Sequence, residues 1–147
     1  MSIVYVDHEN NINYSLYSFS SNVKYEIEYN MEQSQPLVNI VTRTSNRPIF
    51  FHLNQKSLSE QTYQNKRKIV SYDDIETLKY LKKYQDIEIH ELERNKRVNG
   101  AHFPYNLYCN ELMDKIDDGW IMFLDDDDVF MSPECLAKIV KNIKTDN

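Results

Sequence analysis

Glycine occurs only twice in 147 residues, at Gly100 and Gly119. Phosphate-cradling loops and dinucleotide fingerprints need several glycines at fixed spacing, so both are excluded. Cysteine is equally scarce. Cys109 and Cys135 show no metal-ligand spacing and read as reduced thiols packed on apolar helix faces, as expected of an intracellular protein. No apolar run reaches the length of a membrane helix, and "MSIVYVDHENN" lacks the basic start and long apolar core of a signal peptide. The expectation is a cytoplasmic chain. A basic excess is also missing. The formal net charge is −6, and the basic residues form only short clusters, Lys66 to Lys68 and Arg94 to Arg97. That argues against a broad nucleic-acid footprint.

What remains is the composition of one globular domain. Hydrophobic residues make up 41%, enough for a core at this length but too little for two full domains. The first 35 residues differ from the rest. "NYSLYSF" and "NVKYEIEYN" alternate polar and apolar residues, which predicts short strands and a hairpin turned at Ser20, Ser21 and Asn22. This β-rich extension (1–35) is expected to be structural or an oligomer contact. It covers an open sheet edge or pairs with a second copy of the chain.

From residue 36 the pattern becomes a regular alternation. Strands are expected at 37–43, 67–72, 87–92 and 119–124. Helices are expected from Pro48 to about Glu60, over 74–84 with Ile75, Leu78 and Leu81 one turn apart, and over 104–116. A last helix is expected over 132–143, opened by a Ser132 cap and Pro133 at its first position. Alternation of this kind predicts an α/β fold with a mostly parallel sheet and helices on both faces. Such sheets bind ligands at the carboxyl ends of their strands. Three polar sets fall there: Thr42, Arg43 and Thr44; Asp73 and Asp74; and Asp125 to Asp128.

The last set is the most unusual. "WIMFLDDDDVFMSP" stacks four carboxylates after a strand that is apolar on both faces. Such a run is read in three ways. It is a solvated acidic loop, a site for a hard divalent cation, or the strand-D-x-D-x-V start of a haloacid dehalogenase-type phosphatase with Asp125 as nucleophile. In an extended segment residues i and i+2 point the same way, so Asp125 and Asp127 would face one ligand while Asp126 points elsewhere.

Three stretches, in order and at suitable separations, resemble the family 2 glycosyltransferases of the GT-A fold. They are "VNIVTRTSNRP" (38–48), "SLSEQTYQNKRKIVSYDD" (57–74) and "DGWIMFLDDDDVFMSPECLAKIV" (118–140). The resemblance covers 36–147 and implies a Rossmann-like nucleotide-binding half. It implies that Asp127, with Asp125, binds Mn²⁺ or Mg²⁺ and through it the diphosphate of a nucleotide sugar, expected to be a UDP-sugar. Asp125 would contact the ribose or the metal, with Asp126 a competitor for either role. Asp73 or Asp74 would accept the uracil N3–H, and Thr42, with Arg43 or Thr44, would line the nucleoside pocket. Arg47 is the weakest of these candidates, since a turn arginine often pairs only locally. The implied reaction is inverting transfer of the sugar to an acceptor whose identity the sequence leaves open.

The family's catalytic base lies well after D-x-D, and 19 residues follow Asp128. No catalytic base is therefore assigned, and the acceptor part is expected to be missing. The rival reading is a nucleotide-binding or assembly module on the same scaffold without turnover. His52 and His90 are expected at packing or surface positions. His102, Asn99 and Asn106 fall where the family places a sugar-contacting loop, as do Arg94, Lys96 and Arg97.

Overall fold

A computed structural model describes residues 2–6, 12–14, 35–92 and 105–143. The hairpin expected at Ser20 to Asn22, the loop from Arg94 to His102, and Asn99 lie outside them. So does the side chain of Asn106.

Six strands form one sheet. They are β1 (Ser2–Val6), β2 (Ile12–Tyr14), β3 (Val38–Arg43), β4 (Lys66–Tyr72), β5 (Glu88–Glu91) and β6 (Gly119–Phe123). Their order is β2-β1-β6-β3-β4-β5. The four strands β6, β3, β4 and β5 are parallel, as the alternation predicts. The helices are α1 (Pro48–Ser59), α2 (Ile75–Leu81), α3 (Tyr105–Met113) and α4 (Cys135–Asn142). The chain runs from β3 outward to β4 and β5, then returns to place β6 on the other side of β3. The direction reverses between β3 and β6, and a crevice opens at the carboxyl ends of strands at such a switch point.

Alternation along the central strands sorts the core onto two faces. Val41, Ile69 and Ile121 pack with Tyr108, Leu112 and Ile116 of the α3 region. Ile40, Trp120 and Met122 pack with Leu58 of α1 and Leu136 of α4, while Val70 and Tyr72 meet Phe51 of α1 and Tyr80 and Leu81 of α2. Helices therefore cover both faces. Ile69 and Ile121 are fully buried, each such side chain contributing about 1.5–3 kcal/mol.

A polar residue sets the register of the two strands that carry the crevice. Asn39 is fully buried in β3, and its Nδ2 donates to the carbonyls of Asp118 (2.8 Å) and Trp120 (3.3 Å). Gly119 between them has φ +94°, and a Cβ there would stand 2.7 Å from the Leu37 carbonyl oxygen. One of the chain's two glycines is thus needed where β6 closes against the start of β3.

Two expectations need correcting. The last helix begins at Cys135 and not after Ser132, because the carbonyls of Ser132 and Pro133 are engaged by Gln61 Nε2 and by the Thr62 N–H. In α2 the inward residues are Thr77, Tyr80 and Leu81, whereas Ile75 is 65% exposed. Of the N-terminal strands expected in "NYSLYSF" and "NVKYEIEYN", the first is described only at Asn13 and Tyr14, within β2, and the second lies outside the described residues. Here β1 lies antiparallel against β6, with Ser2 opposite Phe123 and Val6 opposite Gly119. The β6 edge is covered from within the chain. Among the described residues no helix is long and apolar enough to cross a membrane.

Candidate functional site

Just past β6, Leu124 donates its N–H to the Val41 carbonyl (3.0 Å), and the Asp128 N–H then returns to the Asp125 carbonyl (3.0 Å). The four carboxylates therefore sit on a tight turn and not in an extended segment, so the period-2 argument stops at the strand. The turn is clamped from α1. Asn54, fully buried, donates through Nδ2 to the carbonyls of Asp125 (3.0 Å) and Asp128 (2.9 Å), and Ser57 Oγ accepts from the Phe130 N–H (3.2 Å). Neither Asn54 nor Ser57 was singled out in the sequence. Their signal was weak: two polar residues on a helix face that otherwise packs on the sheet.

The turn sorts the aspartates by exposure. Asp125, Asp127 and Asp128 face solvent, and Asp126 is 4% exposed. Asp126 Oδ2 accepts from the Thr44 hydroxyl (2.7 Å), which also shares a hydrogen bond with the Tyr80 hydroxyl (2.8 Å). Asp126 Oδ1 accepts from Arg47 Nη1 (2.7 Å), and the same nitrogen reaches Asp127 Oδ2 (3.1 Å). Both oxygens of Asp126 are thus engaged by the protein, which makes it an anchor for Thr44 and Arg47. The hydrogen bond to Asp126, then its charge and that of Asp127, raise the Arg47 guanidinium above its ordinary value.

Arg47 is the residue that sequence reasoning undervalued. It precedes Pro48, which costs α1 no hydrogen bond at its first turn. Arg47 makes no side-chain cap and is left to reach across to β6. The left-handed backbone of Asn46 (φ 51°) turns the chain there, and the Asn46 N–H is held by Thr77 Oγ1 (2.6 Å).

The β4 set divides into two roles. Asp74 is the N-cap of α2. Burial alone would raise its carboxyl, but hydrogen bonds from the Thr77 hydroxyl (2.6 Å) and N–H (2.8 Å) and from Ser45 (3.3 Å) hold it below the usual carboxylate range. Asp73 carries 3% side-chain exposure. Its Oδ2 lies 3.5 Å from Arg43 Nη2, and its Oδ1 is a buried acceptor with no hydrogen-bond partner among the described residues. The Arg43 guanidinium also lies 4.7 Å above the centre of the Tyr108 ring, a cation–π contact. Thr42 is 1% exposed, buried in β3 just before the crevice opens. His52 on α1 bonds Tyr84 at the surface (3.2 Å), and His90 on β5 bonds Glu88 (2.6 Å); both stand away from the aspartate turn.

These side chains enclose a cleft of about 430 Å³, lined by Arg43, Thr44, Ser45, Arg47 and Asp125 to Asp127. The β3 and β6 ends meet in this cleft, whereas Thr42, Asp73 and Asp74 are not among its lining residues and the β4 end reaches it only through the Arg43–Asp73 contact. Thr44 ties β3 to the β6 turn, and Arg43 ties β3 to Asp73. Among the described residues no three His, Cys, Asp or Glu side chains are grouped to hold a metal by themselves. The donor set still fits a hard cation. Asp125 and Asp127 present carboxylates to solvent, and Mg²⁺-like ions use one or two carboxylates and complete their shell with phosphates and water.

Residues 40–147 match the model of the family described as Glycosyl transferase family 2. No curated protein matches the chain closely enough to count as a relative. Among solved structures, S. aureus TarS 1-349 superposes with a TM-score of 0.58 at 17% identity, covering 71% of this chain and 31% of that one. The same TarS fragment in complex with UDP-GlcNAc gives 0.53 at 18%, covering 71% and 30%. The mannosyltransferase PcManGT from Pyrobaculum calidifontis, in complex with GDP-Man and Mn²⁺, gives 0.54 at 16%, covering 73% and 32%. At such identities the likeness is one of fold. The chain spans about a third of the length of each of these structures.

Proposed function

The chain belongs to glycosyl transferase family 2, and from that premise we propose that its cleft is the donor site of a glycosyltransferase. It takes a nucleotide-diphosphate sugar, specifically a UDP-sugar, together with Mn²⁺ or Mg²⁺. The observation that carries this reading is the meeting of exposed Asp125 and Asp127 with Thr44 and Arg47 at the switch point between β3 and β6. Neighbours of the same fold hold UDP-GlcNAc, or GDP-Man with Mn²⁺, which supports a nucleotide sugar. Family membership lends no support to the phosphatase alternative.

In this reading Asp127, with Asp125, holds the cation. Held there, a cation would offset the repulsion between carboxylates and diphosphate and would supply Lewis-acid stabilisation of the charge on the departing nucleotide. Thr44 and Asn54 keep the turn in place. Asp73 Oδ1 accepts the base N–H, with Arg43 beside it. A single acceptor oxygen left without a partner suits the lone N3–H of uracil, whereas guanine offers two adjacent donors that would engage both oxygens of a carboxylate. Transfer is inverting, by in-line attack of an acceptor hydroxyl, and no catalytic base is assigned.

Calorimetric titration of UDP, GDP and UDP-sugars, with and without Mn²⁺, tests this on wild type and Asp127→Ala. UDP should bind more tightly with Mn²⁺ and in preference to GDP. Asp127→Ala should lose at least about tenfold of the metal-dependent affinity, the scale on which ligand-shell changes act. If UDP does not bind, or binds equally with or without metal and substitution, the donor-site reading is lost. Release of UDP from UDP-sugars, with and without acceptor glycans, then measures turnover.

A further inference from the structure

We propose that Arg47 is an exchangeable internal counter-ion of this site. Before ligand binds, it holds Asp126 and Asp127 together; when a nucleotide diphosphate arrives with its cation, Arg47 releases Asp127, keeps Asp126, and turns its freed donors to the diphosphate. The inference rests on the donor-site reading above and adds to it an order of events and a positioning residue.

The two bonds from Arg47 Nη1 are unequal. Asp126 is 5% exposed at its side chain, its other oxygen is already taken by Thr44, and the bond is 2.7 Å long. Breaking it would leave a buried carboxylate with one hydroxyl for company, a costly state. Asp127 is 47% exposed and the bond is 3.1 Å. Water replaces a guanidinium there at little cost. Arg47 is therefore fixed at one end and free to exchange at the other. Its guanidinium also lies 5.6 Å from the centre of the Phe50 ring, which helps keep the group in place when Asp127 is released. A guanidinium has five N–H donors, more than these two bonds use, and its planar fork suits phosphate oxygens.

Competition follows from charge. Asp127 cannot serve Arg47 and a divalent cation equally, so cation alone must displace an ion pair. A diphosphate offers Arg47 a replacement anion. Cation and nucleotide then favour each other's binding, and by linkage the coupling is reciprocal.

The test is Mn²⁺ binding without nucleotide, read by the electron paramagnetic resonance of free Mn²⁺, followed by UDP titration at saturating Mn²⁺. Arg47→Gln should bind Mn²⁺ alone about fivefold more tightly than wild type, the size of one half-exposed ion pair. It should bind UDP with Mn²⁺ more weakly, so the coupling between the two falls. Arg47→Lys, which keeps the charge, should stay near wild type for Mn²⁺ alone. Unchanged or weaker Mn²⁺ binding by Arg47→Gln overturns the proposal. Should that variant not fold, the Arg47 Nε–H resonance of wild type during Mg²⁺ titration replaces it, and an unmoved resonance at Mg²⁺ saturation overturns the proposal equally. The nucleotide-free titration reads the competition independently. Failure of wild type to bind UDP would sink the donor-site reading while leaving the Mn²⁺ result to stand on its own.

Discussion

Four aspartates in a row are one symbol in a sequence and four environments in the fold. Asp126 is turned inward by the turn that begins at Asp125, and in that buried place Thr44 and Arg47 meet its two oxygens. Thr44 has the larger structural share, since its hydroxyl also joins the Tyr80 hydroxyl, linking the β3 end to α2. Thr44→Val keeps the shape and removes the hydroxyl. It should leave Asp126 and Tyr80 each short of a partner and destabilise the chain by about 1–3 kcal/mol, the cost of an unmet buried polar group. Urea unfolding measures this. A change below a few tenths of a kcal/mol would mean that water replaces the hydroxyl freely and that Asp126 is less enclosed than its 4% exposure implies.

At the scale of elements, neighbouring residues at one strand end do different work. Asp74 caps α2 and Asp73 does not, so the pair expected as equivalent candidates for a base contact separates. Asp74→Ala should cost about 1 kcal/mol of stability through the lost cap, with UDP affinity nearly unchanged. Asp73→Ala should weaken UDP binding at least tenfold, while the stability loss stays small. Thermal melts and calorimetry on both variants decide, and the reverse pattern would assign the base contact to Asp74. The sequence was most legible here where periodicity governs. The strands at 38–43, 66–72 and 119–123 follow from apolar runs that tertiary contacts do not overrule, and the helix from Pro48 from the proline at its first turn, although it buries Asn54, Gln55 and Ser57 and leaves Ile49, Phe50 and Leu53 exposed. It was least legible where one distant side chain decides. Gln61 donates to the Ser57 carbonyl (3.0 Å) and the Ser132 carbonyl (2.9 Å), and accepts the Leu136 N–H (2.9 Å). The Q-T-Y stretch is thus a latch joining the end of α1 to the start of α4, and it moves that start past the apparent Ser-Pro cap. The same limit hid Asn54 and the partners of Arg47, since the partners of both lie about 70–80 positions away and follow only from the fold.

At the scale of the molecule, the parallel sheet has two ends and the chain treats them differently. At β5 the outer strand carries Glu88, His90 and Glu91. Glu88 is paired with Arg67 Nε at 2.8 Å, a charged edge of the kind that discourages further pairing. At the other end β6 is the opposite case. Gly119-Trp120-Ile121-Met122-Phe123 is apolar throughout, and without a neighbour it would present its backbone N–H and carbonyl groups on a hydrophobic strand. β1 supplies that neighbour across five paired positions, from Ser2–Phe123 to Val6–Gly119, and β2 in turn pairs with β1. The aspartate turn begins directly beyond the Ser2–Phe123 pair, so the edge cover and the candidate site share one strand. Removing residues 1–34 should therefore expose β6 and make the chain self-associate, with a concentration-dependent rise in sedimentation coefficient that the unshortened chain does not show. A shortened chain that remains monomeric at high concentration would show that the β1–β6 pairing is not what keeps this edge from associating.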